Sequence, residues 1–233
     1  MNHAPRLTAE ARREAIVEAV QDIFAEKGFD GTTIKELAHV AGVSEALLYK
    51  HFPSKESLYA AIKNLGREGG DPALEKIASL EPSTSTLVYI VYFLMRSLAI
   101  GRSGDLTGWD TRHRLVLNSC LEDGEFTRYL FKNHFGCCAS KLEACLEVAQ
   151  RAGDLVVSPV GKRNRLLFAH HLACMIAIMH LPEKPVIDYE ALREELLDEA
   201  VWFALRGIGL AEGAIALYFN PKALSLFFGI GRE

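Results

Sequence analysis

The sequence predicts an all-α protein, with an N-terminal three-helix helix-turn-helix domain followed by a larger helical body. Three observations carry this. Few stretches alternate with period two, apolar residues recur at i, i+4, i+7 and i+8, and Gly and Pro stand where helices should stop. The 233 residues, 49% hydrophobic and 24% charged, are enough to bury a core, and they exclude disordered, collagen-like and disulfide-scaffold chains.

Thr8 is placed to N-cap a first helix running to about Lys27, with Gly28 as its stop. Ile16, Val20, Ile23 and Phe24 form its buried stripe. Glu10, Glu14, Glu18, Asp22 and Glu26 recur every four residues and read as a solvated face. Thr33-Ile34-Lys35-Glu36 is a capping box that opens a second helix, with Ile34, Leu37, Ala38 and Ala41 inward. Gly42 ends it, and Ser44 caps a short third helix through about Lys50. Pro53 forbids continuation, so Ser54 caps a fourth helix from Lys55.

Composition shifts around Gly66–Pro72, which reads as a hinge. This gives a head over residues 1–53, a connecting helix and hinge over 54–70, and a body over 71–233. Body helices are expected at about Thr84–Ile100, Trp109–Leu121, Glu125–Ala152, Lys162–His180, Asp188–Leu210 and Pro221–Phe228. The longest apolar run, Leu87–Met95, ends at Arg96 and is too short for a membrane span. Met1–Arg6 carries no apolar h-region, and the five cysteines are odd in number and lack finger spacing. Together these predict a cytoplasmic chain with no membrane partner, no metal and no cofactor. No nucleophile–base constellation or phosphate loop points to an enzyme.

Net charge is −4, so any DNA binding must come from a local patch. Residues 1–67 carry nine cations and nine acids, but residues 44–67 carry Lys50, Lys55, Lys63 and Arg67 against Glu45 and Glu56. Two short helices joined at Gly42, with Ala38 permitting close approach and Val43 and Leu48 filling the joint, project the second helix outward toward a major groove.

Phe24-Ala25-Glu26-Lys27-Gly28-Phe29, Thr32-Thr33, Ala41-Gly42-Val43-Ser44, Leu48-Tyr49-Lys50-His51-Phe52, and Lys55, Glu56 and Leu58 together resemble the DNA-binding domain of TetR-family transcriptional regulators. The resemblance spans Arg13–Leu58. It implies a ligand-responsive repressor, released from a palindromic double-stranded DNA operator by a small-molecule effector. Thr33 and Ser44 would then bond phosphates from helix N-termini. Tyr49 and His51 would brace the backbone, and Lys55 would set a cation on a phosphate. Glu45, Ala46, Leu47 and Lys50 would face base edges, with Lys50 addressing guanine and Leu47 a thymine methyl. The alternative is an adaptor of the same fold that binds a protein partner instead of DNA, and the phosphate-clamp residues count against it.

The resemblance further implies a homodimer, since two recognition helices must reach half-sites ~34–36 Å apart. Lys162–His180 and Asp188–Leu210 suit a dimeric bundle, through Leu166, Leu167, Leu172 and Ile176 on the first and Leu192, Leu196, Val201, Phe203, Leu205 and Ile208 on the second. A largely apolar effector would be lined by apolar helices carrying occasional polar groups. The candidates are Tyr89, Tyr92, Phe93 and Arg96, then Arg114 and Asn118, Phe131 and Phe135, and His170, His171 and Met175. Core packing is the commoner role for such stripes. Arg96 stands out, because a cation in an apolar stretch needs a partner or a ligand anion. His170 with Cys174 at i, i+4 resembles half a metal site but has no second ligand pair.

Overall fold

The computed structural model describes residues 7–62, 72–101, 106–132 and 136–229. Its helices are α1 (Ala9–Lys27), α2 (Ile34–Val40), α3 (Glu45–His51), α4 (Lys55–Ile62), α5 (Pro72–Ser79), α6 (Thr84–Ala99), α7 (Leu106–Leu121), α8 (Glu125–Leu130), α9 (Gly136–Ala152), α10 (Lys162–Met179), α11 (Arg193–Ile208), α12 (Glu212–Tyr218) and α13 (Pro221–Phe228). Pairing of extended backbone among the described residues is limited to one isolated bridge, Leu155 with Leu210. The chain is all-α, as its sequence predicts. It forms two compact units, Met1–Gly69 with Thr111–Lys132, and Gly70–Asp110 with Asn133–Glu233.

In the first unit, Thr8 Oγ1 accepts the Ala11 N–H at 3.1 Å and starts α1. The acids of α1 face solvent, and Asp22 also accepts the Thr111 hydroxyl at 2.6 Å. Ile16, Val20 and Phe24 are buried against Leu37, Leu48, Phe52 and Leu58, which fixes α2, α3 and α4 around α1. The unit also takes in Leu115 of α7 and Phe126 of α8. Asn118 Nδ2 donates to Ala25 O at 2.9 Å and so satisfies a carbonyl at the end of α1.

The second unit is built around α6. Leu87, Val88, Ile90, Val91, Tyr92, Phe93 and Met95 are all buried, so the helix is apolar almost all round, and α9, α10 and α11 pack against it. Ser83 caps it by accepting the Thr86 N–H at 3.0 Å. Trp109 Nε1 donates to Leu98 O at 2.7 Å. At the C-terminal end of the chain, Asn220 caps α13 with Pro221 at its first turn.

Two of the expected body helices differ from the sequence expectation, and two short helices are additional to it. Glu125–Ala152 is described in two stretches, α8 through Leu130 with a wider turn at residues 131–132, and α9 from Gly136, with residues 133–135 outside the described residues. The last long helix begins at Arg193 and not at Asp188, because Asp188 Oδ1 accepts the Glu190 N–H at 3.3 Å and Glu190 takes a positive φ of 36°. Helices α5 and α12 were not expected, being too short to show a period.

The apolar surface of the last two long helices agrees with expectation only in part, Leu192 and Phe203 being exposed as expected. Leu166, Ile176, Leu196, Val201, Leu205 and Ile208 are buried within the chain, while Phe168 and Met175 on α10 and Trp202 and Phe203 on α11 are exposed.

Candidate nucleic-acid interface

The head's reading surface is set by two helix caps and one turn. Thr33 Oγ1 accepts the Glu36 N–H at 3.3 Å, and Glu36 Oε2 accepts the Thr33 N–H at 2.9 Å, closing the capping box that starts α2. Gly42 has φ 64°, a left-handed value that a β-carbon resists. The Val43 N–H then bonds Ala38 O at 3.0 Å across the turn, the closure that ends α2 and redirects the chain. Ser44 Oγ accepts the Leu47 N–H at 3.2 Å and starts α3. Leu48 and Phe52 are buried from the inner side of α3, and Arg13 Cζ lies 4.6 Å from the Phe52 ring centroid.

The outer side of α3 carries the residues expected to meet DNA. Glu45, Ala46 and Lys50 are exposed, Tyr49 is 48% exposed, and Leu47 and His51 are half-buried. Ser44 is exposed at the helix N-terminus, and its hydroxyl proton is free to donate after the oxygen has capped α3.

Two of the expected phosphate contacts are already engaged within the chain. The Thr33 hydroxyl donates to Glu36 Oε2 at 2.8 Å. Lys55 Nζ donates to Thr32 O at 2.8 Å and lies 4.3 Å from the Phe29 ring centroid. Both residues hold the head together; the capping box in the sequence points to the Thr33 partner, whereas nothing in the pattern reveals that of Lys55.

Glu36 is the electrostatic anchor of this surface. Its carboxylate accepts from Lys27 Nζ at 2.7 Å, and that bond, followed by those from Thr33, holds its pKa down at about 2. A depressed folded-state pKa stabilises the head fully above the ordinary value of 4.5, and this contribution is lost as pH falls toward about 2. Glu36→Gln should therefore flatten the acid limb of the head's stability curve, which thermal melts across that pH window will read.

The expected effector-lining residues fall in both units. Arg114, Asn118 and Phe131 are half-buried residues of the first, and Asn118 is committed to the end of α1. Phe135 lies outside the described residues. In the second unit, α13 lies against Tyr89, Tyr92 and Phe93. Tyr92 Oη and Ser225 Oγ are 2.8 Å apart, Tyr89 and Phe227 ring centroids are 4.8 Å apart, and those of Phe93 and Phe228 are 5.2 Å apart.

Arg96 has its partner within the chain. Its two Nη atoms donate to Glu194 at 2.6 and 2.7 Å as a bidentate pair. Burial alone would lower the Arg96 pKa, and the bonds to Glu194 reverse the direction and raise it. His170 borders an apolar cavity of about 20 Å³ walled by Val91, Met95, Leu98, Leu142 and Leu166, room for about one water and far below the 300 Å³ or more of a drug-sized site. His171 and Met175 are exposed on the outer side of α10. Cys174 Sγ is 3.7 Å from His170 Nδ1, and among the described residues no third His, Cys, Asp or Glu joins them as a metal site. No described helix is long and apolar enough to cross a membrane.

Comparison with known proteins agrees with this geometry. Residues 16–62 match the family model of bacterial regulatory proteins, tetR family. The chain is 46% identical over 52 residues to the HTH-type transcriptional regulator RutR of Escherichia coli K12, which covers 22% of this chain and 24% of RutR. It is 40% identical over 47 residues to the biofilm operon icaADBC negative regulator IcaR of Staphylococcus aureus Newman, covering 20% and 25%. The match thus spans about a quarter of the length of these curated relatives.

Among solved structures, AibR in complex with isovaleryl coenzyme A and operator DNA is similar at a TM-score of 0.60 and 20% identity, covering 82% of this chain and 97% of that one. A γ-butyrolactone receptor, an ArpA-like protein, is similar at 0.59 and 20%, covering 96% and 98%. These two likenesses concern the fold.

Proposed function

We propose that this chain, a TetR-family regulator by its head and its fold, works as a homodimeric repressor that a small-molecule effector releases from a palindromic operator. The family consists of transcriptional regulators and not enzymes. The observation that carries the reading is α3 itself. A capped, rigidly seated helix shows solvent Ser44, Glu45, Ala46, Tyr49 and Lys50, while Leu48 and Phe52 anchor its other side. Nothing in the packing of the head requires a cation at Lys50 or a phenol at Tyr49. Binding DNA would use both.

Dimerisation follows from the exposed apolar side chains on the last two long helices. Phe168, Met175, Trp202 and Phe203 are between 40% and 66% exposed, a concentration of large apolar groups that a second copy would cover. His171 shares that side of α10. A two-fold dimer presents two copies of α3 related by symmetry and so reads a palindrome. Repression is supported by the likeness of the head to IcaR, a negative regulator by name. Effector binding is supported by the fold's likeness to AibR, solved with an acyl coenzyme A and operator DNA.

The effector is expected to be largely apolar and to meet Tyr89, Tyr92, Phe93 and His170. The cavity beside His170 is too small to receive it as it stands, so binding entails displacement of packed side chains, and that couples the body to the head. An effector that weakens operator binding ~100-fold needs ~2.7 kcal/mol of differential affinity between two states, an ordinary coupling.

The test is substitution on the outer side of α3. Lys50→Ala and Tyr49→Phe should each lower operator affinity about tenfold or more without changing the melting temperature of the head. Unchanged affinity in both, with folding intact, would remove α3 from the interface.

A further inference from the structure

The second unit holds a cleft that the reading above leaves unused. It has a volume of about 340 Å³, within the range of small-ligand sites. Its walls are the segment 155–162, Gln150 of α9 and Arg165 of α10. Two of the lining residues are cations and none is an acid.

Arg165 is the unusual member. The residue is only 8% exposed, yet among the described residues no carboxylate pairs with it. Nη1 donates to Ile208 O at 2.6 Å, at the end of α11, and Nε is buried with no hydrogen-bond partner among the described residues. A buried guanidinium that lines a cleft without a carboxylate to balance its charge is costly unless an anion completes it. The nearest acid along the chain, Asp154, is occupied: its Oδ2 accepts the Thr84 hydroxyl at 2.5 Å.

The same cleft reaches the N-terminus of α10, an 18-residue helix whose N-cap is Gly161, with no side-chain cap. The first N–H groups of such a helix carry partial positive charge and look for an acceptor. Lys162 stands at the first helical position, one turn before Arg165, so both cations and the helix end share one wall. Leu155, Val156 and Val160 supply apolar surface beside them.

We propose that this cleft binds a small organic oxyanion. A carboxylate or phosphate monoester head would meet Arg165, Lys162 and the first N–H groups of α10, and its apolar body would lie along Leu155, Val156 and Val160. The site stands independently of DNA binding, since every group in it belongs to the second unit.

Calorimetric titration of the full chain in low-salt buffer tests it, with octanoate, octyl phosphate, inorganic phosphate and octanol as probes. Octanoate or octyl phosphate should bind saturably at one site per chain, more tightly than inorganic phosphate, and octanol should not. The tighter of the two amphiphiles identifies the head group. Lys162→Gln, whose side chain makes no bond the fold depends on, and Arg165→Lys should each weaken binding about tenfold or more, the loss of one charge-assisted hydrogen bond. Absence of saturable binding by every anion, equal binding of octanol, or unchanged affinity in Lys162→Gln would overturn the proposal.

Discussion

Glu194→Ala is expected to destabilise the second unit by about 3–5 kcal/mol, the usual cost of removing one partner of a buried ion pair. The side chains of Arg96 and Glu194 are only 6% and 13% exposed, and the pair is bidentate at 2.6 and 2.7 Å. Water therefore offers Arg96 little compensation once the carboxylate is gone, and the melting temperature should fall by roughly 6–20 °C. Replacing both partners with apolar residues, Arg96→Met with Glu194→Leu, should recover most of that loss, because the desolvation cost disappears with the charges. Thermal melts of the single and double variants read this directly. A single variant as stable as the parent would mean that the pair carries no structural weight.

Phe24→Ala is expected to destabilise the head by about 3–5 kcal/mol, the usual loss for an aromatic residue removed from a packed core. Phe24 is 0% exposed and its ring lies 5.0 Å from Tyr59 and 6.3 Å from Phe29. Tyr59 in turn meets Phe126 at 5.8 Å, so one substitution opens a cavity shared by α1, α4 and α8. Tyr59→Phe provides the contrast. The Tyr59 hydroxyl is buried without a hydrogen-bond partner, and burial, with the charges of Glu122 and Asp123, pushes its pKa up to about 12. Removing that hydroxyl should leave the head as stable as before or about 1 kcal/mol more stable. Chemical denaturation followed by far-ultraviolet circular dichroism separates the two variants, and a loss in Tyr59→Phe comparable to that in Phe24→Ala would contradict this description of the core.

What the sequence made legible was local. Thr8, Thr33 and Ser44 start helices through bonds to residues three positions on, and Gly42 turns the chain through its own φ. Such signals lie within a few residues of the structure they dictate, so the head and the ends of α6 were open to reading. The partners of the long cationic side chains were not. Arg96 finds Glu194 98 residues away, Arg165 finds Ile208 O 43 residues away, and Tyr92 meets Ser225 133 residues away.

The sequence also suggested that Arg96 wanted an anion. That was correct in kind, but a carboxylate of the chain supplies it. Arg165, with a comparable need and no carboxylate partner, gave no sign in a stretch rich in cations (Lys162, Arg163 and Arg165) that reads as solvated. Of the apolar residues expected on the last two long helices, Leu192 and Phe203 do face outward and most of the others are buried, because both sides of each helix are apolar and periodicity alone cannot say which one the protomer buries.

The most direct test is binding of the purified full chain to DNA tiled across the region upstream of its own gene, by fluorescence anisotropy at two salt concentrations. The account predicts tight binding to one palindromic tile by two chains, weakening steeply as salt rises because several phosphate contacts release counterions. Uniformly weak binding to every tile, or tight binding indifferent to salt, would contradict it.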